Sequence, residues 1–171
     1  MREPILIFFL LFSLNLVYSQ SDISPNYKIE NNKVLWQKVI DLKEGKKEYF
    51  AKLKLKEFFN KLEWNETSIA GKTNKKDLKI KSPYWASFPF ESFVKIEFKE
   101  NRYRITFSNI TFDGPEIQVS GVRHKYDYKL SKESLKKGKI KNSKKIGKVM
   151  KILNQFFENI IINKVEKKSD W

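Results

Sequence analysis

Ser92 to Asp113 reads SFVKIEFKENRYRITFSNITFD, two alternating segments that meet at a tight turn. Val94, Ile96 and Phe98 share one face of the first segment, and Lys95, Glu97 and Lys99 share the other, the period-2 pattern of a half-buried strand. After a turn at Glu100 and Asn101, Tyr103, Ile105 and Phe107 repeat the pattern against Arg102, Arg104 and Thr106. This is a β-hairpin. The alternation then slips by one residue, because Phe107 is followed by Ile110 and Phe112, which predicts a β-bulge near Ser108 and Asn109.

Upstream of the hairpin, Pro83 and Pro89 bracket Tyr84, Trp85, Phe88 and Phe90, an irregular or edge-strand approach. Trp64 to Thr73 reads as a weaker strand, and Asn74 to Ser82 as a basic connection with a short strand around Leu78 to Ile80. Lys46 to Leu62 has apolar residues at helical spacing, with Ala51, Leu55, Phe58, Phe59 and Leu62 as the predicted core stripe. On that reading Tyr49, Phe50 and Leu53 point away and pack on local neighbours. Lys33 to Asp41, KVLWQKVID, is rich in β-branched and aromatic residues and reads as the first strand, after a turn at Asn31 and Asn32.

Downstream, Asp113, Gly114 and Pro115 read as a turn, followed by a short strand over Glu116 to Val122. Arg123 to Asn142 has little apolar periodicity and reads as an exposed, mobile connection. Ile146, Val149, Met150, Leu153, Phe156, Phe157, Ile160 and Ile161 then form the clearest helical stripe of the chain, with Ser143 as candidate N-cap. The order predicts an α+β fold, an antiparallel sheet with two helices packed on one face: strand, helix, several strands, long C-terminal helix.

The first nineteen residues read as a signal peptide, with Arg2 at the positive end and the apolar run ILIFFLLFSLNL from Ile5 to Leu16, cut before Gln20. The run is shorter than the roughly 20 apolar residues of a spanning helix, so no transmembrane anchor is expected after cleavage. The organisation expected is thus a signal peptide at 1–19, a polar lead-in at 20–32, and one domain at 33–165. Within that domain a lysine-rich connection occupies about 123–142, and a frayed tail covers 166–171. The chain has no cysteine, which excludes a lipid-anchored cysteine and a disulfide framework. Stability then depends on the core, in keeping with an aromatic share of 15%.

The net charge is +15, but only Arg2, Arg102, Arg104 and Arg123 of the 35 basic residues are arginine. Specific phosphate and base recognition leans on the arginine fork. The lysine excess, beside many Asn, Ile and Phe, fits the codon bias of an AT-rich genome better than a nucleic-acid code, and no specific DNA recognition is expected.

The hairpin ENRYRITF, the opening VLWQKVID, the helix after it and SIAGK at Ser68 to Lys72 together resemble a bacterial secreted family with a TBP-like fold, domain of unknown function 4468. Arg102, Tyr103, Arg104 and Thr106 carry the resemblance most specifically, and Ile69, Gly71 and Lys72 less so. It covers about Lys33 to Phe112, and the last helix by position only; the lysine-rich Lys129 to Lys151 departs from it. The resemblance implies a TBP-like fold and a periplasmic, envelope or extracellular setting. It implies no activity and no DNA binding.

No coherent catalytic, cofactor or metal set emerges. His124 is the only histidine, with Asp127 as its nearest carboxylate in sequence and no cysteine to share a zinc ion. Gly71-Lys72-Thr73 matches the end of a phosphate loop, but Glu66 stands where the leading glycine must be. Ser134 and Lys137 satisfy Ser-x-x-Lys without the companion motifs. Asn65-Glu66-Thr67 and Asn109-Ile110-Thr111 are glycosylation sequons, relevant only in a eukaryotic pathway. Arg102 and Arg104 form either a shallow anion-binding strip or cross-strand pairs with Glu97 and other acids, the latter favoured. Ten lysines against the one acid Glu133 in Lys129 to Lys151, among them Lys136, Lys137, Lys144 and Lys145, form either a solvated tether or a contact for an anionic surface. The function expected is an exported, non-enzymatic binding domain whose partner is an envelope protein, with an electrostatic binder of anionic lipid, polysaccharide or nucleic acid as the alternative.

Overall fold

The computed structural model describes residues 25–43, 45–54 and 56–162. The expected signal peptide, residues 20–24 of the lead-in and the frayed tail lie outside them; the rest of the lead-in is corrected, since Tyr27–Glu30 is a strand paired with Lys33–Trp36 and Tyr27 is buried. In chain order the elements are β1 (Tyr27–Glu30), β2 (Lys33–Asp41), α1 (Lys46–Lys54), β3 (Phe59–Asn65) and β4 (Ser68–Thr73). A 3-10 turn over Tyr84–Ser87 leads into β5 (Phe90–Lys99), β6 (Arg102–Val119) and β7 (Val122–Lys129). The short α2 (Leu130–Ser134), the strands β8 (Leu135–Lys136) and β9 (Lys139–Ile140) and the long α3 (Lys144–Ile162) complete the described chain.

The main sheet is antiparallel, in the order β1-β2-β6-β5-β4-β3, with β7 added to β6. The β5–β6 hairpin lies at its centre as predicted, turning through Glu100 in a left-handed backbone (φ 53°). The predicted bulge is present. Glu91 pairs with Thr111 and Phe93 with Ser108, so Asn109 and Ile110 together face Ser92 alone, and Asn109 takes a positive φ of 50°. The extra residue turns Ile110 and Phe112 back to the face that already holds Phe107, and all three are buried.

That face carries the core. Val34 and Trp36 of β2, Tyr103, Ile105 and Phe107 of β6, Val94 and Ile96 of β5, and Ile69 of β4 are buried on it. Across it lies α3, whose Ile146, Val149, Met150, Leu153, Phe157 and Ile161 are buried, while Lys144, Lys148 and Lys151 face outward. Phe157 stacks on Phe107 with ring centroids 4.2 Å apart and planes 10° from parallel. Trp36 closes on both rings at 5.7 and 5.4 Å. Its indole donates to Asn154 Oδ1 (2.7 Å), so the one polar group of this buried side chain is satisfied from α3.

Four further expectations are corrected. The first helix ends at Lys54 instead of Leu62, and Phe59 to Asn65 form β3, hydrogen-bonded to β4. Phe58, Phe59 and Leu62 do face the core, but from a turn and a strand. The core face of α1 is the one predicted to point away: Tyr49 and Leu53 are buried, Tyr49 lies 4.6 Å from Tyr103, and Phe50 lies 5.5 Å from Trp64. Second, Asp113-Gly114-Pro115 is no chain reversal. β6 runs straight through it for 18 residues, with a bulge opposite Tyr126, because a Cβ on Gly114 would sit 1.9 Å from the Tyr126 carbonyl and only glycine fits. Third, Arg123 to Asn142 is ordered as β7, α2 and the β8–β9 hairpin, which turns through Lys137 and Gly138, both at positive φ. No strand forms around Leu78 to Ile80, although Ile80 is buried.

Truncating the stacked ring by Phe157→Ala is expected to cost about 3–5 kcal/mol in urea unfolding. Leu53→Ala is expected to cost about 2–5 kcal/mol; a near-neutral Leu53→Ala would return the core face of α1 to the side of Ala51.

Candidate functional site

The face of the sheet opposite the helices is open and polar. Arg104 lies across from Glu97 and donates to its Oε2 from Nη2 (2.9 Å) and Nε (3.1 Å), while Lys95 reaches the other oxygen of the same carboxylate (2.9 Å). Lys95 first and Arg104 second hold the Glu97 carboxyl below its usual range. Arg102 stands 3.9 Å from Asp41 on the neighbouring strand. Arg104 is thus engaged by a cross-strand carboxylate, while Arg102 is largely exposed with Asp41 at the limit of an ion pair.

The lysines of Lys129 to Lys151 are brought to two places. Lys136, Lys137 and Lys139 sit on the exposed β8–β9 hairpin, and Lys144, Lys145, Lys148 and Lys151 lie on the solvent side of α3. Lys141 is different: its ammonium donates to the Glu133 carbonyl (2.6 Å) and pins the hairpin to α2. The Ser134 hydroxyl is fully buried and donates to the Leu130 carbonyl (2.6 Å), which gives Ser134 a structural task. His124 is exposed on β7 opposite Ile117, and among the described residues no group of three metal-ligating side chains forms.

A site missed by the sequence reading is the far half of β6. Its partner β5 begins at Phe90, paired with Phe112, so β6 beyond Asp113 continues with β7 alone as a two-stranded arm. Register puts Ile117, Val119, Val122, Tyr126 and the single polar side chain His124 on one face of the arm, and Glu116, Gln118, Arg123 and Lys125 on the other. Ile117, Val119, Val122 and Tyr126 are 44–56% exposed. The tip turns through Ser120 and Gly121, both at positive φ, as a two-residue hairpin loop requires.

Asp113 fixes the root of the arm. Its carboxylate accepts the Lys125 ammonium from β7 and the Lys75 ammonium (2.5 Å) from the chain after β4. Lys125 first and Lys75 second hold the Asp113 carboxyl below its usual range, and the same contact raises Lys125. Its backbone N–H donates to the Pro89 carbonyl (2.8 Å), the last tie between the arm and the sheet.

A carboxyl whose folded pKa lies below its unfolded value near 3.9 stabilises the fold at pH above that value. The contribution is lost as pH falls through the lower folded value. Hydrogen exchange of the amides of β7 should therefore lose an increment of protection below about pH 4, reversibly. Asp113→Asn should show reduced protection of about two- to fivefold already at pH 7, and no further step in acid. An unchanged profile in the variant would remove Asp113 as the anchor.

No protein-family model matches the chain, and comparison with curated proteins gives no match. Among solved structures the chain is similar to a TBP-like protein from Parabacteroides distasonis, at 17% identity and a TM-score of 0.49, over 78% of this chain and 90% of that one.

Proposed function

We propose that this chain is an exported, non-enzymatic binding domain of the bacterial cell envelope, of the kind found in the domain of unknown function 4468 family, and that it holds a protein partner through the β6–β7 arm. The observation that supports this reading is the apolar face of the arm. An isolated two-stranded ribbon is marginal in water, yet this one offers Ile117, Val119, Val122 and Tyr126 side by side to solvent. Among the described residues β7 pairs with β6 alone, so its outer edge leaves a row of backbone donors and acceptors for a partner strand. Main-chain pairing at that edge and apolar contact on one face are the two ingredients of strand addition. Export rests on Arg2, the apolar run from Ile5 to Leu16 and the small residues before a cut at Gln20.

A second reading is electrostatic. The ordering of Lys129 to Lys151 into a hairpin and a helix turns Lys136, Lys137, Lys144 and Lys145 outward with Glu133 as the local acid, a fit for anionic lipid headgroups or an acidic polysaccharide.

Affinity capture with the chain from Gln20, out of envelope extract, separates the two. Ile117→Asp with Val122→Asp should remove a stoichiometric protein that otherwise survives moderate salt, with the thermal midpoint of the domain kept. Retention of that protein by the double variant would overturn the arm as the surface. Loss of all bound material at the salt step, reproduced by neutralising Lys136, Lys137, Lys144 and Lys145, would favour the electrostatic reading.

A further inference from the structure

The two helices share a sheet face but part at one end. Between α1 and the last turns of α3 a cleft of about 870 Å³ opens, within the range of small-molecule sites. Its floor is apolar: Leu53 from α1, Phe58 from the turn before β3, and Phe156, Ile160 and Ile161 from α3. Phe58 and Phe156 meet edge to face at 5.1 Å. The rim is of one sign, with Lys52, Lys56, Lys75 and Lys76 against the single acid Glu57.

Two of these lysines have structural contacts that shape the rim. Lys56 donates to the Ile160 carbonyl (2.6 Å), covering the negative end of the α3 dipole that would otherwise repel an anion. Lys75 turns toward Asp113. Lys76 is exposed and has no carboxylate partner among the described residues. An apolar floor under a cationic rim selects an amphiphile whose polar end is negative: the chain displaces water from the half-buried Phe58, Phe156 and Ile160, and the head stays at the rim beside Lys76. We infer that this cleft binds a single-chain amphiphile with an anionic headgroup, a fatty acid or an alkyl phosphate, which is a small-ligand site separate from the arm.

The test is calorimetry on the chain from Gln20 with dodecanoate, dodecyl phosphate and dodecyltrimethylammonium, each below its micelle concentration. Saturable binding of one equivalent of either anion is expected, with the cation weaker by about tenfold or more. Preference between the two anions would tell carboxylate from phosphate as the headgroup. Ile160→Trp, which fills the floor, should weaken anion binding by about tenfold, and Lys76→Glu, at an exposed position with the fold intact, by about threefold or more. Equal binding of cation and anion, several equivalents per chain, or no effect of Lys76→Glu would overturn the inference. So would binding that appears only when residues 163–171 are removed, since the chain's own tail would then be the occupant.

Discussion

The contact of Phe107 with Phe157 sets the geometry of everything around it. Phe107 stands at the point of β6 where Trp36 and Val94 are its neighbours on the two flanking strands, so one ring joins β2, β5 and α3. A buried aromatic side chain contributes about 1.5–3 kcal/mol, and here Trp36, Phe90, Phe107, Phe112 and Phe157 are all fully buried. A chain with no disulfide concentrates its stability in such a cluster. The bulge at Asn109 is what permits it: strict alternation after Phe107 would send Ile110 and Phe112 to the solvent side, and the extra residue returns them inward.

The same strand accounts for the exposed arm. β6 has 18 residues, whereas β2 has 9 and β5 has 10. Neither neighbour can cover its far end, and α3 crosses only the near half. β7 satisfies one edge of the surplus strand and leaves the apolar side chains of both strands without a layer above them. Ordinary exposed strands avoid this by alternating polar residues or by charge on the edge. The arm has charges on one face only, held in pairs such as Arg123 with Glu116 (3.8 Å), so its other face stays apolar.

The sequence was legible wherever a single period ran unbroken. The central hairpin, its bulge, the strand over Lys33–Asp41 and the eight-residue stripe of α3 all appear in the structure as expected, although a strand at Tyr27–Glu30, read as part of a polar lead-in, precedes Lys33–Asp41. Legibility failed where a backbone irregularity disguised the period. Lys61 takes a positive φ of 50° and the β3–β4 register shifts between Asn60 and Glu63, so Phe59, Leu62 and Trp64 lose strict alternation and mimic helical spacing. Gly71 is the compensating signal, since a Cβ there would stand 2.6 Å from the Lys61 carbonyl, but a glycine in a strand announces a close approach without naming the partner. Gly114-Pro115 failed in the same way. Proline lacks the N–H that a ladder needs and reads as a turn, yet in a bulge on an open edge that donor is not required. The cleft had no local signature at all, because its floor joins Leu53, Phe58 and Ile160 across a hundred residues.

Charge and shape divide the work of recognition differently than composition implies. Each arginine among the described residues stands beside a carboxylate: Arg102 near Asp41, Arg104 on Glu97, Arg123 near Glu116. Only Arg104 spends its fork on a carboxylate through hydrogen bonds, while Arg102 and Arg123 are largely exposed beside theirs, and most of the positive excess behind the net +15 is carried by lysines. A lysine is a hydrated point charge that attracts any anion and ranks few of them. If the chain is the binding domain proposed above, discrimination among partners comes from surfaces with form, the apolar face of the arm and the floor of the cleft, while the lysines raise the local concentration of whatever is negative. A binding domain built this way should lose encounter rate, and little selectivity, when its lysines are neutralised, and lose selectivity when Val122 or Ile160 is changed.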